Sequence, residues 1–434
     1  GIRMHLYPSE GTPRNVAKDI VDYLFPNDET VKFPIVSVTG TNGKTTVARL
    51  IQHVLMATGR TVGLTSTCDT FIGRKCVARG DHSGPMSARS LLSSKAITAA
   101  VLETARGGIV REGLGYEAAD VGVITNITED HLGIDGVETL EDLVFVKSLV
   151  AEAVKDGGAA VLNARDPSTP AVLLRIGRLE NVKIRPILFD NEAKTSAAYD
   201  RPDCVRVFND GGWIRIRDGA KTLNVIHVRE IPITMGGLIE CNIENALAAT
   251  AALYGLGITA DVIKAGLMSF TDNAGRFELY DCGGAAVMLD YGHNPEGYKN
   301  VIKTCSKLAH KRLVGVIGMP GDRADSAIQA VGRLSAAAFD RIIIKEDADK
   351  RGRTPGDIAG LLLNAVLAAG FPVSQAAVVE DELEALKKAV SEAKNGDLVV
   401  IFYEKLGHLQ KYLESIGAKK QYVSTGSLAA AGLV

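Results

Sequence analysis

Short continuous apolar runs alternate along this chain with stretches whose apolar residues recur at helical spacing. Ile35 to Val38 is such a run, and Thr45 to Met56 carries the helical pattern after it. Val62 to Leu64, Ala100 to Glu103, Val121 to Thr125 and Ala159 to Leu162 are further runs, with a helix expected over Leu140 to Val154. Continuous apolar strands alternating with helices predict a mostly parallel sheet covered on both faces. Between about Val182 and Met235 the pattern shortens to alternating stretches around the only tryptophan, Trp213. Turn residues at Asn209-Asp210-Gly211-Gly212 and Asp218-Gly219 make that region an expected antiparallel β-hairpin insert.

Helical patterns return at Glu244 to Tyr254 and Ala260 to Ser269, before the polar stretch Thr271 to Arg276. Beyond it the alternation restarts, with strands expected at Val287 to Asp290, Leu313 to Ile317, Arg341 to Lys345, Ala376 to Val379 and Leu398 to Phe402. The fold class is therefore α/β: a phosphate-loop-containing central domain with a mostly parallel sheet and a β insert, then a Rossmann-like C-terminal domain. The expected boundaries are 34–271 for the central domain, with the insert at about 182–235, and 272–434 for the second. Residues 1–33, with Pro8, Gly11, Pro13 and Pro26, read as a linker or docking segment, so the chain reads as a piece of something longer.

Composition narrows the function. A length of 434 residues exceeds what one core usually serves, and 46% hydrophobic with 23% charged residues is a globular balance. The net charge of −2 gives no reason to expect nucleic acid or a membrane surface as a partner. Six scattered cysteines without metal-ligand spacing fit a reducing compartment, and no run is long enough to span a membrane, so a cytoplasmic enzyme is expected.

The chemistry is concentrated after the first strand. Gly40-Thr41-Asn42-Gly43-Lys44-Thr45-Thr46 joins strand to helix, a context in which backbone N–H groups cradle phosphate, Lys44 adds charge and Thr45 offers a hydroxyl to Mg²⁺. Its first glycine is Gly40, which makes a tighter loop than the common form. Three further clusters fall at the carboxyl ends of expected strands, where open α/β sheets place ligands. They are Glu103 to Gly108, with Arg106; Asn126 to Gly133, with Asp130 and His131; and Asp290 to Pro295, with His293. Glu103 suits a hard cation, Arg106 suits a carboxylate or phosphate, and His131 beside Asp130 suits metal or phosphate.

Together with Asn242 to Asn245 and Gly275-Arg276-Phe277-Glu278, these segments resemble the Mur ligase superfamily of ATP-dependent carboxylate-amine ligases over nearly the whole chain. Within it, Gly80 to Arg89, Glu103 to Gly115, Gly321 to Arg323, Glu346-Asp347 and Arg351 to Arg353 are similar to the Mur-ligase-like half of the cyanophycin synthetase family. The resemblance implies that Gly40 to Thr46 and Lys44 hold the ATP phosphates, and that Thr45, Glu103 and His131 hold Mg²⁺. It implies contacts of Asn245 with adenine and of Arg276 and Asp290 with phosphates and ribose, and a Lys147 that is carbamylated to hold a second Mg²⁺. Asp81, Ser83, Ser87, Arg89, Arg106 and His293 are expected near the substrates.

The activity implied joins the α-amino group of arginine to the aspartate β-carboxyl of a poly-aspartate acceptor. A homo-oligomer is expected, together with an ATP-grasp half or subunit that the sequence lacks. Gly292 stands where that family usually has alanine, and His82-Ser83 lies in a variable substrate stretch. The alternatives are a stand-alone Mur-type ligase adding another amino acid to a peptide or folate-like carboxylate, and a catalytically silent scaffold.

Overall fold

The computed structural model describes residues 33–130, 132–192, 204–271 and 273–421. The expected linker over 1–33 lies, Phe33 apart, outside the described residues, as do His131 and the end of the chain. The first unit is built on β1 (Ile35–Thr39), α1 (Lys44–Ala57), β2 (Val62–Thr65), β3 (Asp69–Ile72), β4 (Lys75–Arg79), α2 (Pro85–Leu92), β5 (Ala99–Glu103) and α3 (Arg106–Glu112). It continues through β6 (Ala119–Ile124), α4 (Leu140–Glu152), β7 (Val154–Asn163), α5 (Thr169–Ile176), β8 (Arg185–Asp190), β9 (Val205–Asp210), β10 (Trp213–Asp218) and β11 (Lys221–His227), and closes with α6 (Glu240–Gly255) and α7 (Ala260–Ser269).

These strands form one eleven-stranded sheet in the order β11-β10-β9-β8-β7-β6-β1-β5-β2-β3-β4. Its middle, from β9 to β2, is parallel, and each margin is antiparallel. The expected insert is thus corrected in part: β8 and β9 pair in parallel with the main sheet, and only β10 and β11 are antiparallel hairpin strands on its margin. The β3–β4 hairpin at the opposite margin had no counterpart in the sequence pattern.

β1 is buried at every position, and its partners β5 and β6 lie on either side of it. One face is covered by α1, α6 and α7 through residues such as Leu50, Val54, Leu247, Ala251, Ile263 and Leu267. The other face carries α4 and α5 through Leu143, Val150, Val172 and Ile176. Burial on both faces is why these strands read as continuous apolar runs. Among the described residues no helix is long and apolar enough to cross a membrane, and the six cysteines are free.

The second unit comprises β12 (Glu278–Asp281), β13 (Ala286–Asp290), α8 (Pro295–Cys305), β14 (Leu313–Ile317), α9 (Asp325–Ala338), β15 (Arg341–Ile344), α10 (Asp357–Ala368), β16 (Ala376–Val378), α11 (Glu382–Glu392), β17 (Leu398–Phe402), α12 (Leu406–Ser415) and β18 (Lys419–Gln421). Its sheet runs β16-β15-β14-β17-β13-β12-β18, parallel apart from β12 and β18.

The units share part of one core. Met235 and Ile239, which precede α6 of the first unit, are packed among Phe277, Leu279, Tyr298 and Val301 of the second. Ile239 is fully buried there. Ile239→Ala removes three carbons from this contact and is expected to cost about 2–4 kcal/mol. Urea unfolding of the substituted chain, compared with the unmodified one, checks this, and an unchanged midpoint contradicts it.

Candidate functional site

The loop between β1 and α1 crosses the carboxyl end of the sheet, and the strands beside it hold it there. Thr125 and Asn126 follow β6. Thr125 Oγ1 donates to the Asn42 carbonyl at 2.6 Å, Asn126 Nδ2 donates to the same carbonyl at 3.1 Å, and Asn126 Oδ1 accepts from the Asn42 amide at 2.9 Å. Thr125 on one side and Asn245 on the other leave no room for side chains at the two loop glycines. A Cβ at Gly40, whose φ is +144°, falls 1.9 Å from Thr125 Oγ1, and one at Gly43, with φ +88°, falls 2.3 Å from Asn245 Oδ1. Both requirements, positive φ and close approach, select glycine.

Lys44 Nζ donates to the carbonyls of Gly40 and Thr41, each at 3.0 Å, so the charge lies over the loop. Burial lowers its pKa, opposed by the nearby charges of Glu103 and Asp130. Thr45 Oγ1 donates to Glu103 Oε2 at 3.0 Å, and the Thr67 amide donates to the same oxygen at 3.2 Å. Glu103 is 2% exposed, and its other oxygen, Oε1, has no hydrogen-bond partner among the described residues. A buried carboxylate oxygen left without a partner carries an energetic penalty that a hard cation relieves. Thr45 and Glu103 therefore fit Mg²⁺. Among the described residues no cluster of three or more His, Cys, Asp or Glu forms a metal cage, and His131 lies outside those residues.

Lys147, on α4, is a buried lysine and not a helix-surface one. It is 3% exposed, and its Nζ donates to Thr41 Oγ1 at 2.8 Å. Burial, reinforced by the neighbouring Lys44 charge, lowers its pKa to about 7. At neutral pH it is therefore partly the free amine, the form that reacts with CO₂ to give a carbamate.

Across the domain link, Phe277 adopts φ +50°, an outlier for a bulky residue, and its amide donates to Asp290 Oδ2 at 2.9 Å. This bond holds the link over the end of β13. The Arg276 guanidinium stacks 4.7 Å from the Tyr291 ring. Burial raises the Asp290 carboxyl to about 6, an effect the Arg276 charge opposes. Burial lowers the His293 imidazole, whose Nδ1 is 3.0 Å from the Tyr291 carbonyl. A carbonyl only accepts, so Nδ1 carries the proton and Nε2 is unprotonated.

Two cavities meet at the loop. One, of about 330 Å³, extends from Asn42, Gly43 and Thr46 past Asn245 and Arg276 to Asp290 and α8. The other, of about 600 Å³, extends the opposite way from Lys44, Thr45 and Glu103. It contains Lys147, Arg106 and His293, and also Asp81 and Ser83, whose side chains bond each other at 2.6 Å. Ser87 and Arg89 are not in its wall. Arg89 is exposed and reaches Met86 Sδ and the Glu112 carbonyl, because the first turn of α2 carries it away from the opening.

Several wall residues had no assigned role in the sequence reading: Thr67, Asp130, Tyr291, Asp322, Arg323 and Arg351. The segments Gly321 to Arg323 and Arg351 to Arg353 had been singled out only as resemblance. Asp322 binds Arg351 through both oxygens at 2.9 Å and Arg323 at 2.7 Å, knitting the two loops together at the cavity wall. Only Thr67 left no signal beyond its place after β2.

Residues 38–253 match the Mur ligase middle domain, and residues 275–402 match the Mur ligase, glutamate ligase domain. The chain is 41% identical over 424 residues to a cyanophycin synthetase of Synechocystis sp., covering 97% of this chain and 48% of that protein. It is 40% identical over 409 residues to that of Crocosphaera subtropica, covering 93% and 46%. It thus spans about half the length of these curated relatives. A bifunctional folylpolyglutamate synthase/dihydrofolate synthase, solved with Mn, AMPPNP and L-glutamate bound, shares the fold at 20% identity and TM-score 0.66, covering 91% of this chain and 94% of that one. With two Mur ligase domains in tandem and similarity to cyanophycin synthetases along nearly its whole length, the chain belongs to the Mur ligase family.

Proposed function

We propose that this chain is an ATP-dependent ligase that activates a carboxylate as an acyl phosphate and joins it to an amine. The observation that carries the proposal is the meeting of two cavities at one phosphate loop, with Asn42, Gly43, Thr45 and Arg276 lining both and Lys44, Glu103 and Lys147 in the larger one. In this reading ATP occupies the smaller cavity, with its base toward Asn245 and its ribose toward Asp290. The acceptor carboxylate and the amine occupy the larger. The acceptor is an aspartate β-carboxyl of a poly-aspartate chain and the amine is the α-amino group of arginine, as the similarity to cyanophycin synthetases suggests.

A carboxylate oxygen attacks the γ-phosphorus, the bond to the bridging oxygen breaks, and ADP leaves. Lys44 and the loop amides neutralise charge on the transferring group, which in a low-dielectric cleft is worth several kcal/mol. The amine, as free base, then attacks the activated carbonyl, and phosphate departs as one proton passes from nitrogen to solvent. Mg²⁺ held by Thr45, Glu103 and His131, with a second ion at carbamylated Lys147, would supply further neutralisation of the phosphate oxygens. Arg276, with Tyr291 at its face, closes the cleft over the phosphates from the second unit and excludes water. Arg106 is held at the Ile134 carbonyl, 2.8 Å away, and is the group proposed to receive acceptor carboxylates.

The test is phosphate release with ATP, short poly-aspartate and each of the twenty amino acids in turn. Turnover with arginine alone supports the full reading. Turnover with another amino acid keeps the ligase but changes its substrate, and silence with all twenty favours a scaffold. Lys44→Ala is expected to lower kcat at least about a hundredfold through lost phosphate neutralisation, and undiminished turnover contradicts the assignment.

A pH dependence follows from Lys147. Below about pH 7 its amine is protonated and cannot form a carbamate, so activity should fall on the acid side and recover partly with added bicarbonate. Lys147→Arg, charged at every accessible pH, should lose both the activity and the bicarbonate response. A bicarbonate response that persists in that variant contradicts carbamylation.

A further inference from the structure

Among the described residues, two sets of contacts between the units differ in kind, besides the ion pairs of Lys303 and Lys307 with Glu240 and the Thr46–Asn273 bonds. One set is apolar: Met235 and Ile239 lie among Phe277, Tyr298 and Val301. The other lies beside the phosphate loop and is polar. Asn42 and Asn294 exchange amide hydrogen bonds of 3.4 and 3.2 Å, Asn294 Nδ2 lies 3.4 Å from Asp130 Oδ2, and Arg323 Nε lies 3.3 Å from Asp130 Oδ1. Apolar contact is non-directional and survives a small rotation, whereas a hydrogen bond already near its distance limit is lost when the partners part by about half an ångström. A movement of one unit against the other therefore pivots on the first set and breaks the second.

Asn294 is the centre of the polar set. It is 3% exposed and stands at the N-cap of α8, where its Oδ1 accepts the Gly297 amide at 2.8 Å. That bond settles which way the amide faces: oxygen toward the helix, nitrogen toward Asn42 and Asp130. One side chain thus ties the start of α8 in the second unit to the phosphate loop in the first. Tyr291 and His293, just before it in the chain, enter the larger cavity on the same segment, and Arg323 reaches that cavity through Asp130.

We propose that Asn294 is a positioning residue, whose amide latches the second unit onto the phosphate loop and so brings Tyr291, His293 and Arg323 to the reaction cavity. The latch is satisfied only with the units together. Separation leaves the Asn294 and Asn42 amides to water, at little cost, so the latch is weak enough to release product and specific enough to fix one closed arrangement. The turnover arm of the test rests on the ligase reading above, and the scattering arm does not.

The informative variant is Asn294→Asp. Aspartate caps a helix as well as asparagine does, so α8 keeps its start, but the amide donor facing Asp130 becomes a carboxylate facing a carboxylate. Asp130→Asn in the same chain restores a donor–acceptor pair with the roles exchanged. Small-angle scattering with ATP and Mg²⁺, nucleotide titration and steady-state kinetics are measured for both singles, the double and the unmodified chain. Asn294→Asp is expected to abolish nucleotide-dependent compaction and lower kcat at least about tenfold, with nucleotide affinity within about threefold. The double variant is expected to regain compaction and part of kcat, the remainder being the Arg323 ion pair that Asp130→Asn gives up. A purely structural role moves melting temperature and affinity together and is not rescued by the second substitution. Compaction and kcat unchanged in Asn294→Asp, or a double variant no better than Asn294→Asp, overturns the proposal. If no chain turns over with any substrate, the ligase reading fails, and compaction alone decides the latch.

Discussion

The arrangement depends on the clamp that Thr125 and Asn126 place on the phosphate loop. Their side chains take up both the amide and the carbonyl of Asn42, so the loop cannot relax into an ordinary strand-to-helix turn. The clamp exists because β6 lies next to β1, in parallel, and ends level with it. β5 on the other side brings Glu103 level with the end of β1 in the same way, and Glu103 in turn holds Thr45 and Thr67. Three strand ends in register thus determine where the loop amides, the lysine and the carboxylate point. Everything the second unit adds is positioned against that edge.

Charge near the edge is handled by partial satisfaction. Among the described residues, Glu103 has one oxygen bonded and one unpartnered, and Lys147 is buried with a single hydroxyl partner. A core built for stability would pair or remove such groups. Keeping them costs folding free energy and leaves binding capacity for ions and phosphate. The second unit shows the contrasting solution: Lys345, 1% exposed, is fully neutralised by Asp347 at 2.5 Å and Glu382 at 2.7 Å, which makes a brace for the adjoining loop and not a reactive site.

The phosphate loop, the strand-end clusters and the two α/β units were legible in the sequence because each is a local signal. Strand, glycine turn and helix follow one another directly, and an apolar run that ends in Glu103 or Asp290 marks a strand end without knowledge of its neighbours. What was not legible depends on residues far apart. Whether β8 and β9 extend the main sheet or stand apart is decided by pairing with β7, which no local pattern reports. The β3–β4 hairpin is short and mostly exposed at its outer strand, so it lacks an apolar run. Arg323 and Arg351 reach the cavity only when the units meet. Ser87 and Arg89 were expected near the substrates from the resemblance carried by Gly80 to Arg89, and neither lines the cavity wall.

The packing of Asn245 against Gly43 and of Asn273 against Thr46 has a consequence for the order of events during biosynthesis. The loop leaves the ribosome early, but both residues that cover it arrive long afterward, from α6 and from the link to the second unit. Until then the loop stands uncovered at the carboxyl end of a sheet whose central strands have already been made. A nucleotide bound as proposed would require the completed form and so reward only late intermediates, drawing the last steps of assembly forward by mass action. On the proposed function, the supply of nucleotide thereby acts on the yield of folded chains as well as on their turnover.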